Sequence, residues 1–187
     1  MRLIFSVMLA VFVYWPGISS AQDSVISDKV FSIGPRLTFS QPKDADSGSL
    51  SDGMQLRFDL LQNLKVEGSV DYRRNDFSGY TKVQVYPLML SALAYFTPKA
   101  KVSPFLLGGA GLYFTQVESP FNFSYTTTRL GLHAGLGLEI MLNDTLSLDG
   151  IYRHIWVEKF TSRGIDAMNK EYDDSGYTVT MGINILF

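Results

Sequence analysis

The sequence predicts an all-β fold, an eight-stranded antiparallel up-and-down transmembrane β-barrel. Three observations point to it. Eight segments alternate apolar and polar residues with a period of two. Short turn-type links between them take turns with longer polar ones. The polar face is rich in Gly, Ser, Thr and charges of both signs, which suits the inside of a narrow barrel.

The N-terminus stands apart from this pattern. Arg2 precedes an apolar run from Leu3 to Tyr14, and Ser19-Ser20-Ala21 forms a small-residue cleavage site. These are the marks of a secretory signal peptide over 1–21, and the run is too short to span a bilayer as a helix. Residues 22–28 read as an N-terminal extension and 29–187 as one barrel domain. The chain has no Cys, which excludes a disulfide framework and lipid attachment at a cysteine. Removing 21 residues from 187 leaves 166, enough for one domain. The mature part loses one base, Arg2, from 16, so 15 basic residues face 18 acidic ones. That balance argues against nucleic acid as a partner.

Taken in order, "KVFSIGPRLTFS" puts Phe31, Ile33, Pro35, Leu37 and Phe39 on one face, with Arg36 and Thr38 opposite. "GMQLRFDL" alternates Met54, Leu56, Phe58 and Leu60 with Gln55, Arg57 and Asp59. "LKVEGSVDYRR" sets Leu64, Val66, Val70 and Tyr72 against Lys65, Glu67, Ser69, Asp71 and Arg73. "YTKVQVYPLMLSALAYF" is apolar on both faces, and its Pro87 predicts a bulge or strand break. "SPFLLGGAGLYFTQV" is Gly-rich, and "TTTRLGLHAGLGLEIML" alternates leucines with Arg129, Gly131, His133, Gly135, Gly137 and Glu139. "TLSLDGIYRHIWV" sets Leu148 and Tyr152 against Asp149 and Arg153. In the last segment, "YTVTMGINILF", the apolar face is Tyr177, Val179, Met181, Ile183, Ile185 and Phe187.

Tight links are expected at Gln62-Asn63, "TPKAKV" and Asn143-Asp144, and longer ones at "QPKDADSGSLSD", "NDFSG", "ESPFNFSY" and "EKFTSRGIDAMNKEYDDS". Such a meander could also be a soluble lipocalin-like carrier, with its apolar face turned inward. The membrane orientation is favoured because the polar face carries Gly, Ser and Thr, where a water-facing surface would carry more Lys and Glu. Aromatics also gather at segment ends: Tyr72, Tyr80, Tyr113, Phe114, Trp156 and Tyr177 at one end, Phe96, Phe105 and Phe187 at the other. Both groups are expected to form interfacial girdles.

In that orientation Arg36, Arg57, Asp59, Glu67, Asp71, Arg73, Arg129, Glu139, Asp149 and Arg153 point into the lumen. Eight strands leave room only for side chains, so these charges are expected to pair into a plug. The anticipated groupings are Arg57 with Asp59 and Glu67, and Arg129 or Arg153 with Glu139 and Asp149.

The signal peptide, the eight alternating segments, the "PFLLGGAGLYF" strand and the terminal "GINILF" together resemble the small OmpA/OmpX-like outer-membrane barrels of Gram-negative bacteria. The resemblance spans the whole mature chain and implies periplasmic termini and a bacterial outer-membrane location. It also implies that Phe187, with Ile185, Ile183, Met181 and Val179, is the assembly signal read by the barrel-insertion machinery. A monomer in contact with outer-membrane lipids and lipopolysaccharide is expected, with no periplasmic domain after the last strand. Some barrels of this size modify lipid A, and the deacylase type carries a His-x-Ser-Asn motif. Here His154 is followed at the nucleophile's place by Trp156, which has no hydroxyl to activate. His133 has no second His or Cys near it in sequence to make a metal site. No catalytic residue, metal or cofactor is therefore expected, and the role implied is envelope integrity or adhesion through the external loops. Arg73, Arg74, Lys159 and Arg163 are the candidate contacts to lipopolysaccharide phosphates.

Deleting Phe187 is expected to reduce outer-membrane assembly more than it reduces the stability of barrels refolded in detergent. Heat-modifiable migration of membrane fractions, beside urea unfolding of refolded protein, measures both, and equal losses would reduce Phe187 to a packing residue.

Overall fold

The computed structural model describes residues 29–43, 47–77, 81–98, 100–118, 124–158, 160–161, 171–172 and 175–187. The expected signal peptide (1–21) and N-terminal extension (22–28) lie outside them. The period-two segments become strands β1 (Phe31–Pro42), β2 (Ser49–Leu61), β3 (Leu64–Phe77), β4 (Thr81–Tyr95), β5 (Val102–Glu118), β6 (Ser124–Asn143) and β7 (Leu146–Val157). Two-residue strands β8 (Phe160–Thr161) and β9 (Glu171–Tyr172) pair with each other before β10 (Gly176–Leu186). The eight long strands close into one antiparallel barrel in the order β1-β10-β7-β6-β5-β4-β3-β2.

Closure is made at the β1–β10 seam, paired from Ser32↔Leu186 to Pro42↔Gly176. Phe187 is part of it: its N–H donates to the Phe31 carbonyl at 2.8 Å. Its ring projects outward and lies 6.0 Å from that of Phe31, which is 5.1 Å from Phe58. The ladder passes over Gly34 and Pro35 without changing register. A Cβ on Gly34 would run into the Ile183 carbonyl, so the seam can approach this closely only with glycine there.

Parity decides which face meets what. Arg57, Glu67, Arg153, Thr180 and Asn184 are wholly buried, whereas Met181, Leu90, Leu132 and Trp156 are half or more exposed. Polar groups inside and an apolar belt outside is the arrangement of a membrane barrel, the inverse of a soluble carrier.

Several details depart from the sequence reading. Pro87 neither ends nor bulges β4: the β4–β5 register is continuous through Pro87↔Tyr113, and β3–β4 keeps its register while dropping only the pairs of Pro87 itself and of Tyr86. Proline removes one donor there, but the neighbouring pairs hold the strand straight. Phe105 and Tyr113 are not girdle residues. They share the inward parity of β5 and are buried in the lumen. Tyr72, Trp156 and Tyr177 do face outward, and Tyr80 lies outside the described residues. Strands also run further than their apolar pattern. Pairs Ser40↔Ser49 and Phe77↔Thr81 reduce the first two long links to 43–48 and 78–80. Polar residues past the apolar belt still extend a ladder, but they carry no apolar signal to announce it. The β6–β7 turn falls at Asp144-Thr145, one residue later than anticipated, behind a register shift between Met141 and Asn143.

The lumen has two sides. Leu93, Tyr95, Phe105, Leu107 and Ile151 form one inward apolar cluster and Val85, Tyr113, Ile155 and Val157 another, mostly from β4, β5 and β7. Glycines make space for the aromatics, as at Gly137, where a Cβ would strike the Phe105 ring.

Gly137→Val is accordingly expected to destabilise the refolded barrel by about 1–3 kcal/mol through overpacking. Gly150→Val is the control, because a Cβ there meets open space. Urea unfolding in detergent compares them, and equal effects would mean that the Phe105 contact does not matter.

Candidate functional site in the barrel lumen

The inward charges meet in a plug across the lumen. Arg36 on β1 reaches over β2 to Asp71 on β3, donating from Nε at 2.7 Å and from Nη2 at 2.5 Å. This is the two-pronged geometry that favours Arg for carboxylates. Arg57 on β2 donates from Nε to Glu67 Oε2 at 2.8 Å. It also crosses the lumen, where Nη2 lies 3.2 Å from Asp149 on β7 and Nη1 lies 3.7 Å from Glu139 on β6. These two are ion pairs in contact rather than aligned hydrogen bonds. Arg153 on β7 donates to Glu67 Oε1 at 3.2 Å, and Arg36 Nη1 lies 3.5 Å from that oxygen. Glu67 is thus held by three arginines from three strands, all wholly or nearly buried.

Neutral groups complete the plug. Gln55 and Asn184 both donate to Asp149 Oδ1, at 2.7 and 2.6 Å. Ser147 donates to Glu139 at 2.8 Å, and the Arg57 guanidinium lies over the Phe105 ring at 5.7 Å. Isolated charges in such a site would each cost several kcal/mol. Here every carboxylate of the plug faces at least one cation.

Below the plug, at the end carrying the tight turns, a hollow of about 350 Å³ opens to solvent. Lys65 spans its wall, 3.4 Å from Asp59 and 3.6 Å from Glu139, with its ammonium 4.9 Å from the Tyr95 ring centroid. Above the plug a second hollow of about 30 Å³ lies between Thr38, Asp71, Arg73 and Thr178 on one side and Met89, Tyr113 and Ile155 on the other.

The residues chosen from sequence are therefore placed as follows. Arg36, Arg57, Glu67, Asp71, Glu139, Asp149 and Arg153 make the plug. Asp59 does not join Arg57; it sits at the turn-end mouth with Lys65, because the lumen wall ends at that height. Neither Arg129 nor Arg153 takes Glu139 and Asp149: Arg153 goes to Glu67, and Arg129 lies nearer the loop end of β6 and donates to Thr115 at 3.3 Å. Glu139 and Asp149 go to Arg57 instead, since the narrow bore brings β2 within reach of β6 and β7. Arg73 lines the upper hollow, so it is turned away from the outer surface where a lipopolysaccharide contact would need it. The side chain of Arg74, with Lys159 and Arg163, lies outside the described residues. Sequence reasoning passed over Lys65, Gln55, Asn184 and Ser147, although their parity matched that of the chosen charges.

The histidines are split between the faces. His133 is buried in the lumen with Nε2 2.8 Å from Ser91 Oγ. His154 has the outward parity, its ring 4.7 Å from Trp156 and edge-on to it. Among the described residues no three His, Cys, Asp or Glu side chains gather at metal-binding spacing.

The family model for the outer membrane protein beta-barrel domain matches residues 17–185. The chain belongs to that family. It is a bacterial outer-membrane barrel, and solved structures of similar shape agree on the fold. Neisserial surface protein A superposes with a TM-score of 0.66 at 16% identity, covering 84% of this chain and 97% of that one. OprG from Pseudomonas aeruginosa gives 0.59 at 13%, covering 86% and 97%. Ail, the attachment invasion locus protein of Yersinia pestis, solved with the heparin analogue sucrose octasulfate, gives 0.56 at 20%, covering 85% and 97%. No curated protein matches the chain.

Removing the carboxylate of Glu67 leaves three buried arginines short of a partner, so Glu67→Ala is expected to cost about 3–5 kcal/mol. Asp59→Ala, at the wet mouth, is expected to cost less than about 1 kcal/mol. Urea midpoints of the refolded variants give the comparison, and similar costs would mean that Glu67 is not the hub.

Proposed function

We propose that this outer-membrane barrel works as a closed structural and surface-interaction element whose lumen conducts no solute. The observation that carries this reading is Arg57, wholly buried and within ion-pair reach of Glu67, Glu139 and Asp149 on three strands. Opening a path past it separates several charges at once, in a bore that eight strands already fill with side chains. No catalytic role is assigned.

The remaining surface then carries the function. The turn end and both termini face the periplasm in this reading, and the loop end faces outward. Tyr72, Trp156 and Tyr177 mark the outer interface. Arg74, Lys159 and Arg163 supply charge for lipopolysaccharide phosphates, and the barrel-assembly machinery reads the final strand through Phe187. Ail, named for attachment, is one barrel of this size with a polyanion bound in its structure, which supports an interaction role over transport.

Planar-bilayer recording tests the closed lumen. The wild type is expected to stay silent under conditions where a large porin conducts, and Arg57→Ala combined with Glu67→Ala is expected to produce steady current. A wild-type conductance that the double variant leaves unchanged would defeat the plug reading. Labelling of single cysteines at 78–80 in whole cells checks the outward orientation.

A further inference from the structure

The sulfur of Met89 is set among hydrogen-bond donors. Met89 on β4 is 3% exposed and lies between small partners on the neighbouring strands, Ser69 of β3 and Gly111 of β5. A Cβ on Gly111 would meet Met89 Cγ, so the side chain uses the space that this glycine leaves. Arg153 Nη1 donates to Met89 Sδ at 3.6 Å, and the Tyr113 hydroxyl donates to the same sulfur at 3.9 Å. Arg153 is anchored through its other nitrogen, where Nη2 donates to Glu67 at 3.2 Å.

Donors outnumber acceptors here. Arg153 Nε and Ser69 Oγ are buried and have no hydrogen-bond partner among the described residues. Asp71, which lines the adjoining hollow, is taken by Arg36 and Thr38. A buried donor short of an acceptor costs stability, and a thioether is a weak acceptor. A sulfoxide is a polar group whose oxygen accepts strongly. Met89 and Tyr113 also line the hollow of about 30 Å³ on the loop-end side of the plug. A water-sized molecule needs about 10–15 Å³ of such space, and hydrogen peroxide is little larger than water.

We propose that Met89 is an oxidation site of the folded barrel, converted by hydrogen peroxide to a sulfoxide whose oxygen Arg153 and Tyr113 then hold. The sulfur lone pair attacks one peroxide oxygen, and the S–O bond forms as the O–O bond breaks. The proton on the transferred oxygen passes to the departing one, which leaves as water. Sulfur gives up two electrons and the peroxide takes them. Tyr113 and Arg153 assist by donating to the departing oxygen, where negative charge gathers. In an ordinary core the sulfoxide disrupts packing; at Met89 it supplies the acceptor that the donors lack. Arg153 can hold it through Nη1 without releasing Glu67 from Nη2. Methionine sulfoxide reductases are the agents that would reverse the change. The site does not depend on the lumen being closed to solutes.

Mature barrel refolded in detergent is exposed to hydrogen peroxide for timed intervals, and peptide mass spectrometry reads the oxygen gained at Met89. Conversion is expected while the barrel keeps its heat-modifiable migration. Protection of Met89 until urea unfolds the chain would overturn the proposal. Tyr113→Phe keeps the ring and removes the hydroxyl, and it should slow conversion about fivefold. An unchanged rate in that variant counts against the site. Stability is compared in a background where Met54, Met141, Met168 and Met181 are leucine, a swap of similar volume. There the oxidised barrel is expected to unfold at no lower urea than the reduced one, and a lowered midpoint would mean ordinary damage. Met89→Gln carries a permanent amide oxygen, so it should unfold at higher urea than Met89→Leu. The reverse order would sink the acceptor argument.

Discussion

A strand in hydrocarbon cannot leave its N–H and C=O groups without partners, because no water is present to take them. Everything else in this molecule follows from the seam that meets this demand, β1 against β10. Closure requires β10 to stay paired along its length, and the bond from Phe187 N–H to the Phe31 carbonyl carries that pairing one residue past Leu186. It also requires the seam to approach tightly at Gly34. Once closed, the outside has to be apolar everywhere between the two aromatic levels, and all remaining chemistry is sent to the lumen or to the ends.

Closure with eight strands makes the lumen narrow, and narrowness shapes its chemistry. Arginines long enough to cross the bore meet carboxylates from the far wall, so Arg57 and Arg153 tie β2, β3, β6 and β7 together through the centre. A buried ion pair is weak grounds for stability, since an apolar filling of equal volume serves as well or better. Half of this lumen has just such a filling, in Leu93, Phe105, Leu107 and Ile151. The charged half adds directionality: guanidinium groups accept only particular placements of the opposite strands, and this pins their relative heights.

At the loop end the constraint of lipid is lifted, and the strands stop being equal. There β3 to β6 stay paired with one another further than with β2 and β7 among the described residues. In sequence the raised part of β3 is charged and that of β6 is rich in threonine.

Much of this was legible in the residues alone. Period-two alternation determined the number of barrel strands, the face each side chain takes and the inward set that includes Arg36, Arg57, Glu67 and Arg153, because parity is local and needs no knowledge of neighbours. The same rule, applied evenly, would have included Lys65 and Asn184 and would have turned Phe105 and Tyr113 inward. Only the tertiary structure decided who meets whom. Arg57 paired with Asp149 across the bore, and Asp59 fell to Lys65 at the mouth. Those outcomes depend on barrel diameter and on how each strand is staggered against the next, which are properties of the closed sheet and of no single segment. The heights of the strands above the rim escaped the sequence for a related reason: outside the membrane a ladder needs only backbone, and backbone leaves no pattern of side chains to read.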